Sequence, residues 1–137
     1  MPADAAVQVV LAEGHAAVRQ GLRALLDAAD DLLVVAEVGS CLAALAAVRA
    51  TRPGVLVLDR RLPGGGLDAL LPVAAEAVPE LRVVVLSLQD DPAIGRAVLA
   101  AGASGFVLKD AADAQLVTAV RAAALGGSWR ALADARR

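Results

Sequence analysis

The strongest constraint on the fold of this chain is a regular alternation of short apolar runs with longer amphipathic segments. Five runs rich in Val, Leu and Ala are each followed by a stretch whose apolar residues recur at helical spacing. Runs that are apolar on both faces are typical of strands in parallel sheets covered by helices on each side. The alternation therefore predicts one α/β domain with a doubly wound, five-stranded parallel sheet.

Caps and breakers set the boundaries of these elements. We predict strands over 7–12, 32–38, 55–58, 82–86 and 105–108, and helices over 16–28, 40–52, 67–78, 92–101 and 111–125. Ser40 is a predicted N-cap and Gly102 a predicted C-terminal cap. Pro72 suits the first turn of a helix, so the third helix is expected to start near Leu70. Right-handed crossovers favour the flavodoxin-like strand order 2-1-3-4-5.

Composition excludes several classes of protein. The chain has 137 residues, enough for one domain, and 58% of them are hydrophobic, which excludes a disordered chain. A net charge of −2 excludes binding to nucleic acid by phosphate neutralisation alone, and one Trp, one Phe and no Tyr disfavour a site built on aromatic stacking. One Cys and one His exclude an intramolecular disulfide framework and a Cys- or His-rich metal site.

Targeting signals are absent from the sequence pattern, and the ends of the chain lie outside the alternation. The first residues lack the basic start and apolar core of a signal peptide, and no apolar run approaches the ~20 residues of a membrane span. We therefore expect a cytoplasmic protein with no membrane partner. Residues 1–6 form an N-terminal extension, 7–127 the domain, and 128–137 the start of a linker or tail. Trp129 in that tail either anchors an interface or folds back on the last helix.

Chemically active side chains follow four of the predicted strands. Glu13 follows the first strand, Asp59 the third, Ser87 the fourth and Lys109 the fifth. Open α/β sheets bind ligands beyond the carboxyl ends of their strands, so these four groups are expected to converge. Taken singly, each has a structural alternative: a solvated turn, a cap, an exposed strand end or a partner for a helix N-terminus.

Four sequence blocks resemble a known family. They are 13–22 (EGHAAVRQGL), 55–63 with Asp59, 83–87 (VVVLS) and 100–110 (AAGASGFVLKD). Over residues 7–127 the chain resembles the receiver domain of bacterial two-component response regulators of the NarL/FixJ (LuxR-type) subfamily. The resemblance implies a flavodoxin-like receiver fold and a non-enzymatic role in signal transduction.

The resemblance assigns roles to the residues beyond the strands. It implies that Asp59 accepts a phosphoryl group from a sensor histidine kinase, to control a transcriptional output. Lys109 and Ser87 would bind the phosphoryl oxygens. Ser87 and Phe106 would form the switch, in which the aromatic ring moves inward as the hydroxyl is drawn toward phosphate.

The resemblance also implies a Mg²⁺ site, from which this chain departs. The implied ligands are Glu13, Asp59 and the backbone carbonyl of Arg61. The family normally has two adjacent acidic residues after the first strand, whereas here Gly14 follows Glu13 and supplies no side-chain oxygen. We therefore expect weak Mg²⁺ binding, because Mg²⁺ takes few protein ligands and the loss of one anionic ligand lowers the affinity. Arg60 and Arg61 either replace part of the metal's charge or point to solvent.

Two hypotheses remain for the function. The first is a receiver phosphorylated on Asp59; the alternative is an atypical receiver, a phosphorylation-independent interaction or dimerisation module, because Gly14 removes a metal-binding carboxylate. In either case the resemblance implies a homodimer. It also implies that DNA is bound only through a C-terminal helix-turn-helix domain, which is absent from this chain. The chain is therefore expected to be either truncated or a stand-alone receiver.

Two other protein classes with related topologies do not fit the sequence. A flavodoxin-like FMN protein needs a phosphate-cradling loop after the first strand, where this chain has an acidic residue. An α/β hydrolase needs a Gly-x-Ser-x-Gly elbow, which the residues around Ser87 do not form. Of the remaining polar residues, His15 is predicted to be a structural residue at the start of the first helix, and Cys41 a small packing residue.

Overall fold

The structure, a computed structural model, describes residues 5–127. Five strands, β1 (Val7–Ala12), β2 (Leu32–Val38), β3 (Val55–Asp59), β4 (Arg82–Ser87) and β5 (Gly105–Leu108), alternate with five helices, α1 (Ala16–Asp27), α2 (Cys41–Thr51), α3 (Leu67–Ala77), α4 (Pro92–Ala100) and α5 (Ala112–Ala124). A 3₁₀ turn, Lys109–Ala111, joins β5 to α5 and was not predicted. Most of the predicted N-terminal extension, the predicted tail 128–137 and Trp129 lie outside the described residues.

The five strands form one parallel sheet in the order β2-β1-β3-β4-β5. This confirms the predicted doubly wound α/β fold. The strand order reverses at β1, which is hydrogen-bonded to both β2 and β3. The crevice for a ligand is therefore expected beyond the carboxyl ends of β1 and β3.

Each face of the sheet is covered by its own set of helices. Residues of the central strands alternate between two cores: Val10 and Ala12 pack on the side of α2, α3 and α4, whereas Val9 and Leu11 pack on the side of α1 and α5. All four are fully buried. This two-residue alternation with both faces apolar explains why the strands read as continuous hydrophobic runs. Each buried Val or Leu contributes about 1.5–3 kcal/mol to stability.

Two of the predicted caps are present. Ser40 precedes α2, and its Oγ accepts a hydrogen bond from the Ala43 N–H at 3.2 Å. Gly102 follows α4 with a φ of +111°, a left-handed conformation that residues with a Cβ rarely adopt.

The predicted start of α3 near Leu70 is wrong, because the helix begins at Leu67 and contains Pro72. A proline at this position removes the hydrogen bond to the carbonyl of Asp68, four residues earlier. Pro72 and Asp68 are both exposed, so water is available to that carbonyl. Burial of Leu70 and of its neighbour at position 71 stabilises the helix despite the lost bond.

Among residues 5–127, no helix combines the length and the apolar character that crossing a bilayer requires.

A bidentate ion pair ties α5 to the segment that precedes β2. Arg121 Nε and Nη2 donate to the two carboxylate oxygens of Asp31, both at 2.7 Å, and these bonds lower the pKa of Asp31. A lowered carboxyl pKa contributes stability above the unfolded-state pKa, and that contribution is lost as the pH falls through the folded-state pKa.

We expect Arg121→Gln to raise the pKa of Asp31 in an NMR titration, and Arg49→Gln on α2 to leave it unchanged. An unchanged Asp31 midpoint in the Arg121 variant would contradict the assigned cause.

Candidate functional site

Three charged residues from three connections meet beyond the carboxyl ends of the strands. Glu13 follows β1, Asp59 is the last residue of β3, and Lys109 opens the 3₁₀ turn after β5. Lys109 Nζ lies 2.6 Å from Glu13 Oε2 and 3.4 Å from Asp59 Oδ2. The structure thus brings these three predicted residues together, and their functional roles stay predictions.

Glu13 is fully buried and is the main counter-ion of Lys109. Its Oε1 accepts a hydrogen bond from the His15 N–H at 3.1 Å. Its Oε2 has the ion pair with Lys109 but no well-aligned hydrogen bond from any described residue. A buried carboxylate is tolerated only when it is paired, so the Lys109 ammonium is what permits Glu13 to be charged at this depth.

Arg19 holds the backbone of this loop and was missed by the sequence analysis. Its Nη1 donates to the carbonyl of Glu13 at 2.7 Å, and its Nε lies 3.4 Å from Glu37 Oε1 on β2. A long side chain in the first turns of a helix points back toward the N-terminus, which lets Arg19 on α1 reach the loop before that helix. The position of Arg19 early in α1 indicates that its side chain reaches back toward the preceding loop, but nothing in the sequence indicates which carbonyl it binds.

Gly14 lies at the mouth of the site without a side chain. A Cβ placed there would meet Pro63 Cδ at 3.3 Å and the Gly39 carbonyl oxygen at 3.7 Å. The backbone of Gly14 is not in the left-handed region, so its conformation does not require glycine. A side chain can therefore be added if Pro63 moves by a few tenths of an ångström.

A cavity of about 370 Å³ opens above the acidic and cationic groups. Its lining residues come from four strand–helix connections: Gly14, His15, Asp59, Arg60, Arg61, Pro63, Ser87, Leu88, Gln89 and Lys109. A larger, open depression of about 870 Å³ lies at the opposite end of the sheet, where Arg52, Glu80 and Arg82 contribute to its lining. The smaller cavity lies beyond the carboxyl ends of β1 and β3, where open α/β sheets bind ligands, so we take it as the candidate functional site.

Ser87 and Arg60 are both held by Gln89 at the rim of this cavity. Ser87 Oγ accepts a hydrogen bond from the Gln89 N–H at 3.0 Å, which closes a local side-chain turn after β4. Arg60 Nη2 donates to the side-chain oxygen of Gln89. Arg61 is exposed, lines the cavity and makes no ion pair or side-chain hydrogen bond with any residue in the described range.

The residues present do not fit a conventional magnesium site. Within residues 5–127, no group of three or more His, Cys, Asp or Glu side chains is placed to hold a metal ion. Both oxygens of Glu13 already contact His15 or Lys109, and Gly14 offers none. Of the predicted ligands this leaves the carboxylate of Asp59 and the backbone carbonyl of Arg61, so water or phosphoryl oxygens would have to supply the other positions around Mg²⁺.

The remaining candidates have packing environments. Phe106 on β5 is buried against α4, where a Cβ on Gly95 would meet its ring at 3.2 Å. His15 occupies the N-cap position of α1 with its side chain 85% exposed and makes no side-chain capping bond. Cys41 is buried, and its Sγ lies 3.5 Å from the Leu62 carbonyl oxygen, as expected of a packing residue.

Comparison with known families and proteins gives a consistent result. The family model described as the response regulator receiver domain matches residues 9–121. A curated relative, the DNA-binding transcriptional activator DevR/DosR of Mycobacterium tuberculosis, is 44% identical over 131 residues, which cover 95% of this chain and 58% of that protein. The chain thus spans just under three fifths of the length of this relative.

Solved structures with the same fold include two response regulators. The signal receiver domain of NarL from Mycobacterium tuberculosis has a TM-score of 0.80 and 35% identity, covering 88% of this chain and 98% of that one. RcsB, in a structure of two dimers bound to two parallel DNAs, has a TM-score of 0.86 and 28% identity, covering 96% of this chain and 67% of that one.

Proposed function

Because the chain belongs to the response regulator receiver domain family, in its NarL/FixJ (LuxR-type) subfamily, we propose that Asp59 accepts a phosphoryl group from a histidine kinase. Receiver domains are regulatory modules rather than typical enzymes. The observation that carries the proposal is the position of Asp59: it ends a central strand, borders the cavity and lies 3.4 Å from a nearly buried ammonium.

The chemistry follows from the charges around Asp59. A carboxylate oxygen of Asp59 attacks the phosphorus of a phosphohistidine, an O–P bond forms, and the P–N bond to the imidazole breaks. The imidazole leaves with the bonding electron pair and takes a proton from solvent. Lys109 Nζ, already 3.4 Å from the acceptor, is placed to pair with the negative charge on the transferred oxygens.

Ser87 and Phe106 are proposed as the switch. Ser87 Oγ donates to the Gln89 carbonyl oxygen at 3.4 Å, and a phosphoryl oxygen on Asp59 would compete for this hydroxyl proton as a stronger acceptor. Ser87 on β4 pairs with Leu108 on β5, and Leu108 lies two residues after Phe106 on that strand. Movement of Ser87 is therefore proposed to pass to Phe106 and α4, the element packed on that ring.

The partners are proposed from the relatives. Receiver domains generally receive phosphate from sensor kinases, DevR/DosR is named a DNA-binding transcriptional activator, and RcsB is described as dimers on DNA. We propose that this domain dimerises, and that it controls transcription through a helix-turn-helix domain outside residues 7–127. Receiver domains also generally bind Mg²⁺ at the phosphorylation site; ligation by Glu13, Asp59 and the Arg61 carbonyl stays a prediction, and weak binding is expected here.

Phosphorylation of Asp59 is tested by intact-mass measurement after incubation with acetyl phosphate, in Mg²⁺ and separately in EDTA. We expect a gain of one phosphoryl group in at least one condition, and no gain for Asp59→Asn. Asp68→Asn, which neutralises an exposed aspartate at the start of α3, is the matched control and should be labelled like the parent chain. Absence of an adduct in both conditions would refute the acceptor role.

The alternative function, a phosphorylation-independent interaction module, is favoured by one observation. The carboxylate that would hold a metal beside Asp59 is missing at Gly14, and Glu13 is already paired with Lys109. If no adduct forms and the oligomeric state of the Asp59→Asn variant matches that of the parent chain, this alternative replaces the first proposal.

A further inference from the structure

The side chains around the cavity carry more positive than negative charge, whereas a cation site requires the opposite. Three cationic side chains, Arg60, Arg61 and Lys109, line it, against the carboxylate of Asp59 and the buried carboxylate of Glu13 beneath it. At neutral pH this leaves a formal surplus of one positive charge. The cavity carries both signs of charge, and its surplus of one positive charge favours anions over a divalent cation.

The cations also retain donors that an anion could use. Arg60 Nε is buried and makes no hydrogen bond to any described residue, although Nη2 of the same guanidinium is bound by Gln89. A buried, unpaired donor is costly and is rare in folded proteins unless a ligand or water completes it. Gln89 thus fixes the guanidinium at the rim with an unused donor, and the exposed Arg61 supplies further donors.

The chemistry of these three cations suits a phosphate-class oxyanion in particular. A guanidinium presents planar, paired N–H groups that match two oxygens of a phosphate, and an ammonium acts as a point charge beside a third. Lys109 lies deep in the cavity between the two carboxylates, whereas Arg60 and Arg61 lie on the loop after β3. An anion between these groups would contact cations from two different connections.

We propose that this cavity binds the phosphoryl oxygens directly through Arg60, Arg61 and Lys109, and that the two arginines supply the positive charge that a divalent cation would otherwise provide. The identification of the bound group with the phosphoryl group transferred to Asp59 rests on the proposed function. The binding of an oxyanion at this cavity is independent of that function. The absence of a carboxylate at Gly14 and the presence of the two arginines act in the same direction, since both favour an anion at this site.

The test is a titration of the whole chain with inorganic phosphate at constant ionic strength, followed by ³¹P NMR line broadening and by amide chemical shifts, in EDTA and in Mg²⁺. We expect saturable binding in EDTA that Mg²⁺ does not tighten. The Arg60→Gln/Arg61→Gln double variant should weaken binding at least about tenfold, which corresponds to about 1.4 kcal/mol. Arg49→Gln, which removes one exposed positive charge from α2, should bind like the parent chain.

Asp59→Asn separates the two proposals. Removing the acceptor's negative charge should tighten phosphate binding while abolishing covalent labelling. Phosphate binding in EDTA without labelling of the parent chain would sustain the oxyanion site and refute the acceptor role. Labelling that occurs only with Mg²⁺ would refute the replacement of the divalent cation by the two arginines. Phosphate binding that needs Mg²⁺, or that is unchanged in the double variant, would refute the oxyanion site, and neither result would bear against Asp59 as acceptor.

Discussion

Replacing Lys109 by methionine is expected to lower the free energy of unfolding by about 3–5 kcal/mol, the usual cost of removing one partner from a buried ion pair. Lys109 Nζ is the cation beside Glu13 Oε2, and Glu13 is fully buried. Methionine has a similar length and fills similar space, so the loss comes from the uncompensated carboxylate rather than from a cavity. Urea unfolding at neutral pH, followed by circular dichroism, measures the change.

A double variant separates the loss of this ion pair from general damage. Glu13→Leu/Lys109→Met removes both charges and should recover most of the stability lost in the single variant, because a well-packed apolar pair often equals a buried ion pair. Arg49→Met, which removes an exposed cation, is the matched control and should change stability by less than about 0.5 kcal/mol. A single Lys109 variant as stable as this control would show that Glu13 does not depend on Lys109.

Much of the fold was readable from the sequence because each element carried its own periodicity. β1, β2 and β5 begin and end where the apolar runs do, and Ser40 and Gly102 mark helix ends through local chemistry that needs no tertiary contact. The convergence of Glu13, Asp59 and Lys109 was also predictable, since topology alone places the carboxyl ends of parallel strands at one edge.

The details that failed depend on contacts between distant segments. Pro72 predicted a late start for α3, yet the burial of neighbouring leucines outweighs one hydrogen bond replaced by water. The brace from Arg19 to the Glu13 carbonyl spans a loop whose path the sequence does not specify. The contacts of Glu13 with Lys109 and the His15 amide were not predicted either, and its role as the metal ligand that the resemblance implies stays a prediction.

One residue carried a signal that the sequence analysis did not use. Lys109 is the single lysine of the chain, whereas arginine supplies every other cationic side chain. An ammonium is compact and fits between two carboxylates, and the broader guanidinium binds them from the side. A lone lysine among arginines therefore marks a place where a point charge is needed, and the structure places it between Glu13 and Asp59.

Substituting aspartate for Gly14 is expected to add a magnesium ligand beside Asp59 and to tighten Mg²⁺ binding at least about tenfold, or about 1.4 kcal/mol. The backbone at Gly14 accepts a Cβ, and the nearest obstacle is Pro63 Cδ at 3.3 Å. The new carboxylate would border the same cavity as Asp59 and would cancel its surplus positive charge. Isothermal titration of Mg²⁺ into the parent and variant chains measures the change.

Gly14→Ala is the matched control for this substitution, since it fills the same space against Pro63 without adding an oxygen. It should leave Mg²⁺ affinity unchanged, which would assign the gain in Gly14→Asp to the carboxylate rather than to a stiffer loop. The aspartate should also weaken phosphate binding in EDTA, because it adds a negative charge where the oxyanion is proposed to lie. Gains in both affinities, or in neither, would show that the residue at position 14 does not decide between a metal and an anion.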